Sequence, residues 1–269
     1  MSKGARVRDQ RRVQAPQKRS GRRTQTPRPP GTGGISRRTL YIGVIAGVAL
    51  IAAILVGASI LSSRSSSPAT ASAPSAAETN KMLSGIPQNG TTLGNPKAPV
   101  TMYEFADLQC PWCDQYMLEA FPGIVSKYVR PGKVKVDFKG IEFVGPDSDK
   151  ALRYVLAAGQ QNKLWNAAEI LYRNQGTENS GWVTDKLLAS VTAGIPGLDG
   201  AKIEAAKNSQ TVTNQITEHT RLYQNSAFSG TPAFLIGPTG GTLTPFSPSA
   251  YSVDAFGPEF DKIIAQQKQ

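Results

Sequence analysis

The sequence has little of the residue types on which many proteins build their sites. Its 269 residues include two cysteines and one histidine, and aromatic residues make up 7%. Cys110 and Cys113 are three positions apart, so a bridge between them closes too small a loop to stabilise the chain by entropy. A disulfide framework is therefore excluded. A closed zinc site needs about four ligands, so the alternative of zinc requires a site shared between chains.

Acidic residues are almost absent from the first 38 positions. This stretch holds twelve of the 30 basic residues and one of the 19 acidic ones, so the charges of the rest of the chain cancel and the net charge of +11 belongs to the tail. The charge therefore gives no support for a basic binding groove in the folded part. The tail has no aromatic residue to stack on a base, and nucleic acid is not predicted as a partner.

Charge is absent altogether from residues 40–61. As a helix these residues reach about 33 Å, enough to cross a hydrocarbon core of about 30 Å. We predict one transmembrane helix over residues 39–61, with the basic tail of residues 1–38 in the cytoplasm and the rest of the chain outside. The alternative is a cleaved export signal, because residues 36–40 resemble a twin-arginine motif.

After this segment the composition changes twice. Residues 62–77 are almost entirely Ser, Ala, Pro and Thr, which offer too little apolar surface to offset the entropy of folding. We predict a flexible linker over residues 62–84. Apolar residues return from about Gly85, and residues 85–269 are long enough for one large domain or a domain with an insertion.

The pattern of the folded part predicts an α/β organisation. Residues 100–106 and 134–138 read as strands, and residues 111–128 between them as a helix that is broken or kinked at Pro122. A strand, helix and strand in this order begin a parallel sheet. A mostly helical block follows and contains an insertion at about residues 146–210, before strand character returns at residues 232–236.

The two cysteines lie where a thiol becomes reactive. A strand ends at about Ala106, and Pro111 is suited to the first helical position, which places Cys110 at the helix N-cap. The free N–H groups and the helix dipole stabilise a thiolate there. Cys110 is the predicted nucleophile, and Cys113, one turn further on, is predicted to attack a mixed disulfide formed by Cys110. No cofactor other than this redox-active pair is predicted.

The pattern Glu-Phe-Ala-Asp-x-x-Cys-Pro-x-Cys, which ends at Cys113, resembles the DsbA-like thiol oxidases in their membrane-anchored bacterial branch. The likeness extends through residues 151–175 and residues 229–234. It implies a thioredoxin-like fold with an inserted helical domain, here preceded by a single transmembrane helix. The resemblance also implies protein thiol-disulfide oxidoreductase activity.

The resemblance adds three site residues from outside the cysteine motif. Thr231 and Pro232 match the turn that carries the cis-proline of thioredoxin-like folds, which lies beside the cysteines; an ordinary trans proline at the start of a strand is the alternative. Glu104 matches the buried acid beneath the cysteines, which could relay the proton of Cys113. The alternative for Glu104 is a polar residue on a solvent-facing strand.

The dipeptide between the cysteines, Pro111-Trp112, departs from the best-known strong oxidases, which have a histidine in place of Trp112. Trp112 cannot lend a positive charge to the Cys110 thiolate, and it can widen the apolar surface on which an unfolded substrate lies. The only histidine, His219, falls on an apolar helical stripe and is predicted to be a half-buried structural residue.

These features predict an oxidase that acts outside the cytoplasmic membrane. Its expected partners are cysteine-containing exported proteins and a quinone-linked membrane protein that reoxidises it, because disulfides form and persist in that compartment. Two alternatives stay open. One is a tethered reductase or isomerase, and the other is a thioredoxin-fold binding module that does not use its cysteines.

Overall fold

The computed structural model describes residues 71–267, which contain a mixed β-sheet of six strands with helices packed on both faces. The strands are β1 Gln88–Asn89, β2 Thr92–Leu93, β3 Val100–Ala106, β4 Val134–Gly140, β5 Ala233–Pro238 and β6 Thr244–Phe246. The helices are α1 Ala76–Leu83, α2 Pro111–Glu119, α3 Phe121–Ile124, α4 Pro146–Gly159, α5 Leu164–Tyr172, α6 Asp185–Gly194, α7 Gly200–Ala206, α8 Gln210–Asn225 and α9 Val253–Gln266. A π-helical turn, Val125–Val129, follows α3.

Strand β3 lies inside the sheet because it has a partner on each side. Its parallel partner is β4, in which Phe138 lies opposite Glu104. Its antiparallel partner is β5, in which Ala233 lies opposite Phe105. The β1–β2 hairpin extends the sheet beyond β4, and β6 extends it beyond β5. Since β5 begins where β3 ends, residues 231–232 lie near the loop that leads into α2.

The side chains of β3 alternate between the two faces of the sheet. On one face Phe105 packs against Tyr223 of α8, with ring centroids 5.8 Å apart. Met102 and Ala106 belong to the larger core on the other face, together with residues of α2, α3, α5 and α9. Glu104 shares this second face, because side chains two positions apart in a strand point the same way. Its carboxyl group is therefore inside the protein.

Helices α4 to α7 form the predicted helical insertion between β4 and β5. The sequence places the insertion at about residues 146–210. In the structure α4 begins at Pro146, and α8 begins at Gln210. Helix α8 lies outside the insertion, because it packs against β4. Trp165 of α5 ties the insertion to the sheet. Its ring stacks on Phe121 of α3 with centroids 5.1 Å apart, and its Nε1 donates to the carbonyl of Thr91 at 2.9 Å.

We expect Trp165→Ala to lower the free energy of unfolding by about 3–5 kcal/mol, because it leaves a large cavity and removes a buried hydrogen bond. The matched control is Trp112→Ala. Trp112 is 63% exposed, so its loss is expected to change stability by no more than about 0.5 kcal/mol. Urea denaturation of both variants checks the contrast, and equal losses would contradict it.

The folded part begins earlier than the sequence predicts. The predicted linker of residues 62–84 is wrong over its last part, because residues 76–83 form α1, in which Thr79 and Leu83 are buried. The reason lies in α5, whose nine residues are all buried and which α1 helps to cover. A helix that is buried on every side needs such cover. Ala73 is also buried, so the domain starts near residue 73 rather than 85.

Within residues 71–267, no helix is both long and apolar enough to cross a membrane. The predicted transmembrane helix of residues 39–61 and the basic tail of residues 1–38 lie outside the described residues. A retained anchor and a cleaved export signal therefore both stay predictions.

Candidate active site

Cys110 lies at the N-cap of α2. Strand β3 ends at Ala106, three residues follow, and Pro111 takes the first helical position, where its missing N–H leaves nothing unsatisfied. The Cys110 carbonyl accepts from the N–H groups of Cys113 and Asp114, each at 3.1 Å. The predicted N-cap position of Cys110 is confirmed. Its sulfur therefore lies at the positive end of the helix dipole.

The surroundings of Cys110 favour its thiolate. Its pKa is lowered to about 6, chiefly by the hydrogen bond between its sulfur and that of Cys113. Burial opposes this shift, whereas the Thr231 side chain and the backbone N–H groups of Cys113 and Trp112 add to it. The Cys110 Sγ donates to the Thr231 carbonyl at 3.2 Å. The Thr231 hydroxyl has no partner among the described residues, so it is available to donate to the thiolate.

Cys113 has the opposite character. It is fully buried, and burial, followed by the neighbouring Cys110, raises its pKa well above the ordinary value. Both cysteines are free thiols in the structure. The pair thus combines one sulfur that loses its proton readily with another that keeps it. Cys110 is therefore the sulfur that is more often a thiolate, and it is both the expected nucleophile and the better leaving group.

The Thr231–Pro232 peptide bond is cis, as the resemblance implies. It directly precedes β5, and the hydrogen bond between Thr231 and Cys110 brings the turn against the N-terminus of α2. Five of the predicted site residues, Cys110, Pro111, Trp112, Thr231 and Pro232, therefore lie at one edge of the sheet. Cys113 lies just inside them.

Glu104 is fully buried, and the solvent-facing alternative is wrong. Burial raises its pKa to about 8; the Tyr116 hydroxyl opposes this shift and the charge of Glu169 adds to it. Neither carboxylate oxygen of Glu104 makes a hydrogen bond of good geometry among the described residues, and the same holds for the hydroxyl of Tyr116. Tyr116 lies one turn beyond Cys113 on α2. The acid therefore lies beneath the helix that carries the cysteines.

Glu104→Gln is expected to change how stability depends on pH. Glu104 keeps its proton up to about pH 8 in the folded protein, against 4.5 for an unperturbed glutamate. Ionisation therefore favours the unfolded chain, and stability contributed by the protonated acid is lost as pH rises from 4.5 through 8. Because glutamine does not ionise, we expect roughly 4 kcal/mol more stability at pH 8 and little gain at pH 4.

Denaturant unfolding of this variant at pH 4 and pH 8 measures the difference. The matched control is Glu119→Gln, at an exposed position of α2, for which we expect no comparable gain at pH 8. An equal gain for Glu104→Gln at both pH values would contradict the expectation.

A buried carboxylate fixes the loop between β3 and α2. Asp107 is fully buried and accepts four hydrogen bonds. Its donors are Gln109 N at 2.8 Å, Phe143 N and Val144 N at 3.1 Å each, and Ser148 Oγ at 2.7 Å. The carboxylate joins the loop before Cys110 to the loop before α4.

A groove of about 790 Å³ runs beside Cys110, lined by Trp112, Gln115, Glu119, the segment 228–234 and the segment 246–252. Trp112 is 63% exposed and forms part of its wall. Only one of the lining residues, Glu119, is charged. The groove can therefore take an extended, mostly uncharged segment of chain next to the thiol.

Within residues 71–267, no group of three His, Cys, Asp or Glu side chains is placed to hold a metal ion. His219 lies on α8 and is 3% exposed, so it is more deeply buried than predicted. Burial first, and the charge of Lys139 second, lower its pKa to about 4. His219 lines a separate cavity together with Lys139 and Gln215. This is the environment of a neutral structural residue.

The sheet order, the helical insertion and a cysteine pair at the N-terminus of α2 define a thioredoxin-like protein with a dithiol site. A family model described as Thioredoxin matches residues 87–241. The chain belongs to this family and is a DsbA-like thiol-disulfide oxidoreductase. The thioredoxin-like α/β fold and the family predicted from the sequence are thereby confirmed.

The relatives carry the same type of name. The chain is 27% identical over 148 residues to the probable disulfide bond formation protein D of Bacillus cereus, covering 54% of this chain and 68% of that protein. It is 26% identical over 165 residues to the disulfide bond formation protein D of Bacillus subtilis, covering 58% and 72%. The crystal structure of Wolbachia pipientis alpha-DsbA1 has a similar fold, with a TM-score of 0.56 and 21% identity over 70% of this chain and 96% of that one.

Proposed function

We propose that this thiol-disulfide oxidoreductase works as an oxidase, passing the Cys110–Cys113 disulfide to cysteine pairs of exported proteins. The observation that carries the proposal is the position of Cys110 at the N-terminus of α2 and against Thr231, where its pKa is lowered to about 6. Stabilising the thiolate stabilises the reduced enzyme. A disulfide whose reduced form is stabilised is a stronger oxidant.

The reaction proceeds through a mixed disulfide. A substrate thiolate attacks Cys110 Sγ, the Cys110–Cys113 bond breaks, and Cys113 leaves with the electron pair and takes up a proton. Glu104, buried beneath α2, is the proposed donor of this proton. A second substrate thiolate then attacks the substrate sulfur of the mixed disulfide and releases Cys110 as a thiolate. Two electrons have passed to the enzyme, and the substrate has gained one disulfide.

We further propose that residues 39–61 hold the domain on the outer side of the cytoplasmic membrane, where a quinone-linked membrane protein accepts the two electrons. The uncharged length of this segment, the basic residues before it and the oxidising conditions of that compartment support the proposal.

The reduction potential tests the direction of transfer. We expect a value nearer to about −120 mV, as in DsbA, than to about −270 mV, as in thioredoxin. Trp112→His is a useful comparison, since a nearby positive charge should make the pair more oxidising. A wild-type potential near that of thioredoxin would favour the reductase alternative. This alternative is worth testing because the uncharged Trp112 side chain gives the Cys110 thiolate no positive charge.

A further inference from the structure

Among the contacts between the helical insertion and the loop of residues 107–110, here called the reactive loop, is one made by a side-chain amide. Gln175 lies three residues beyond the end of α5, and its Nε2 donates to the carbonyl of Leu108 at 2.9 Å and to that of Cys110 at 3.3 Å. The second bond falls on the carbonyl that also accepts the first N–H groups of α2. A residue of the insertion thus holds the backbone on both sides of Gln109.

The residue between these two carbonyls is held by the insertion as well. Gln109 is fully buried; its Oε1 accepts from Asn179 N at 2.7 Å, and its Nε2 donates to Asn179 Oδ1 at 3.2 Å and to Ser148 Oγ at 3.0 Å. Residues 108–110 are therefore fixed from the side of the insertion. The remaining freedom of the Cys110 backbone is small.

We propose that Gln175 is a positioning residue for Cys110, which aims the nucleophilic sulfur at the N-terminus of α2 and at Thr231. The proposal rests on the thiol-disulfide exchange described above. The sulfur benefits from the N–H groups of Trp112 and Cys113 and from the Thr231 side chain only while the Cys110 backbone keeps its orientation. A donor on the Cys110 carbonyl also lowers the electron density next to the thiolate. Gln175 therefore stabilises the reduced state without touching the reacting atoms.

Gln175→Met tests this role, because methionine has a similar length and no amide donor. At pH 6 about half of Cys110 is thiolate in the wild type, since its pKa is about 6. We expect this fraction to fall to about one tenth in the variant, and the equilibrium with glutathione at pH 7 to move about fivefold toward the disulfide. The absorbance of the thiolate during an acid titration gives the thiolate fraction. Acid-quenched mixtures of the protein with glutathione give the equilibrium.

The matched control is Gln161→Met. Gln161 also donates from Nε2 to a backbone carbonyl, that of Asp199 at 3.0 Å, but on a part of the insertion that does not touch the reactive loop. It is expected to leave both readouts at their wild-type values. Equal shifts in both variants would overturn the proposal, as would a loss of stability in Gln175→Met with an unchanged thiolate fraction.

Gln175→Glu provides a second variant of the same size. It replaces the donor by a negative charge, so we expect a smaller thiolate fraction than in Gln175→Met. If neither variant folds, Gln175 is required for the fold itself and the proposal is overturned. A reducing wild-type potential would refute the oxidase function alone, because the comparison between variants does not depend on the direction of transfer.

Discussion

Cys110→Ser is expected to lower the rate of disulfide transfer to a reduced protein by roughly a thousandfold or more. A serine hydroxyl forms no disulfide, so the variant has neither the sulfur that a substrate attacks nor the stabilised thiolate. Regain of disulfides in a reduced, denatured substrate, sampled by acid quench and mass analysis, measures the rate. Serine is close to cysteine in size and its hydroxyl can donate to the Thr231 carbonyl that the Cys110 thiol binds, so the fold should survive.

The matched control replaces a serine near the same groove. Ser229→Ala removes a hydroxyl from the groove wall but leaves both cysteines, and we expect transfer within about threefold of the wild type. Unchanged transfer by Cys110→Ser would refute the enzymatic role of the pair and favour the binding-module alternative.

Cys113→Ala is expected to have the second large effect, the accumulation of covalent adducts. Reduced Cys110 in this variant still attacks a disulfide of a partner, but the sulfur that would release the partner is gone. We expect the resolution of the mixed disulfide to slow by roughly a hundredfold or more. Non-reducing electrophoresis should show adducts that disappear with a reductant.

The double variant Cys110→Ser with Cys113→Ala is the control for this trap. It has no thiol, so it should form no adduct. Adducts that form only through Cys113 in the single variant Cys110→Ser would reverse the proposed roles of the two sulfurs.

Elements with strong patterns could be predicted from the sequence. Strand β3 has its predicted bounds, residues 100–106, because a short, nearly unbroken run of β-forming residues is typical of a central strand. The sequence of residues 253–267 likewise predicts a closing helix from its clear helical period, and α9 runs from Val253 to Gln266. Such patterns are local, and the secondary structure that they predict is the one found in the folded protein.

Elements that depend on their neighbours could not be predicted in this way. Strands β1 and β2 are two residues long, too short for any period. The helix break falls at Ala120 rather than at Pro122, because Pro122 takes the second position of the new helix α3, where a proline is tolerated. The π-helical turn that follows closes with Arg130 N donating to Val125 O.

The same distinction between local patterns and tertiary contacts applies to the residues of the site. The two cysteines are three positions apart in the chain, and the residues around them explain their reactivity, whereas Glu104 and Pro232 are identified only through the family resemblance. The sequence alone indicates no role for Asp107, Tyr116 or Gln175, although Asp107 lies within the motif that ends at Cys113. Their partners lie on other elements of the fold: Asp107 bonds to residues 36–41 positions away, and Gln175 to residues 65–67 positions away. The hydrophobic periodicity of a segment carries no information about contacts between residues so far apart in the chain.

Helix α1 sets the smallest fragment that should be produced for study. A fragment that begins at residue 85 would lack α1 and bare the surface of α5 that Thr79 and Leu83 help to cover. It would also lose the carbonyls of Met82 and Ser84 that the Arg130 guanidinium binds. Such a fragment would be prone to self-association through the uncovered helix. A fragment that begins before Ala73 keeps this cover, and it is the form in which a potential or a thiolate titration reports on the native site.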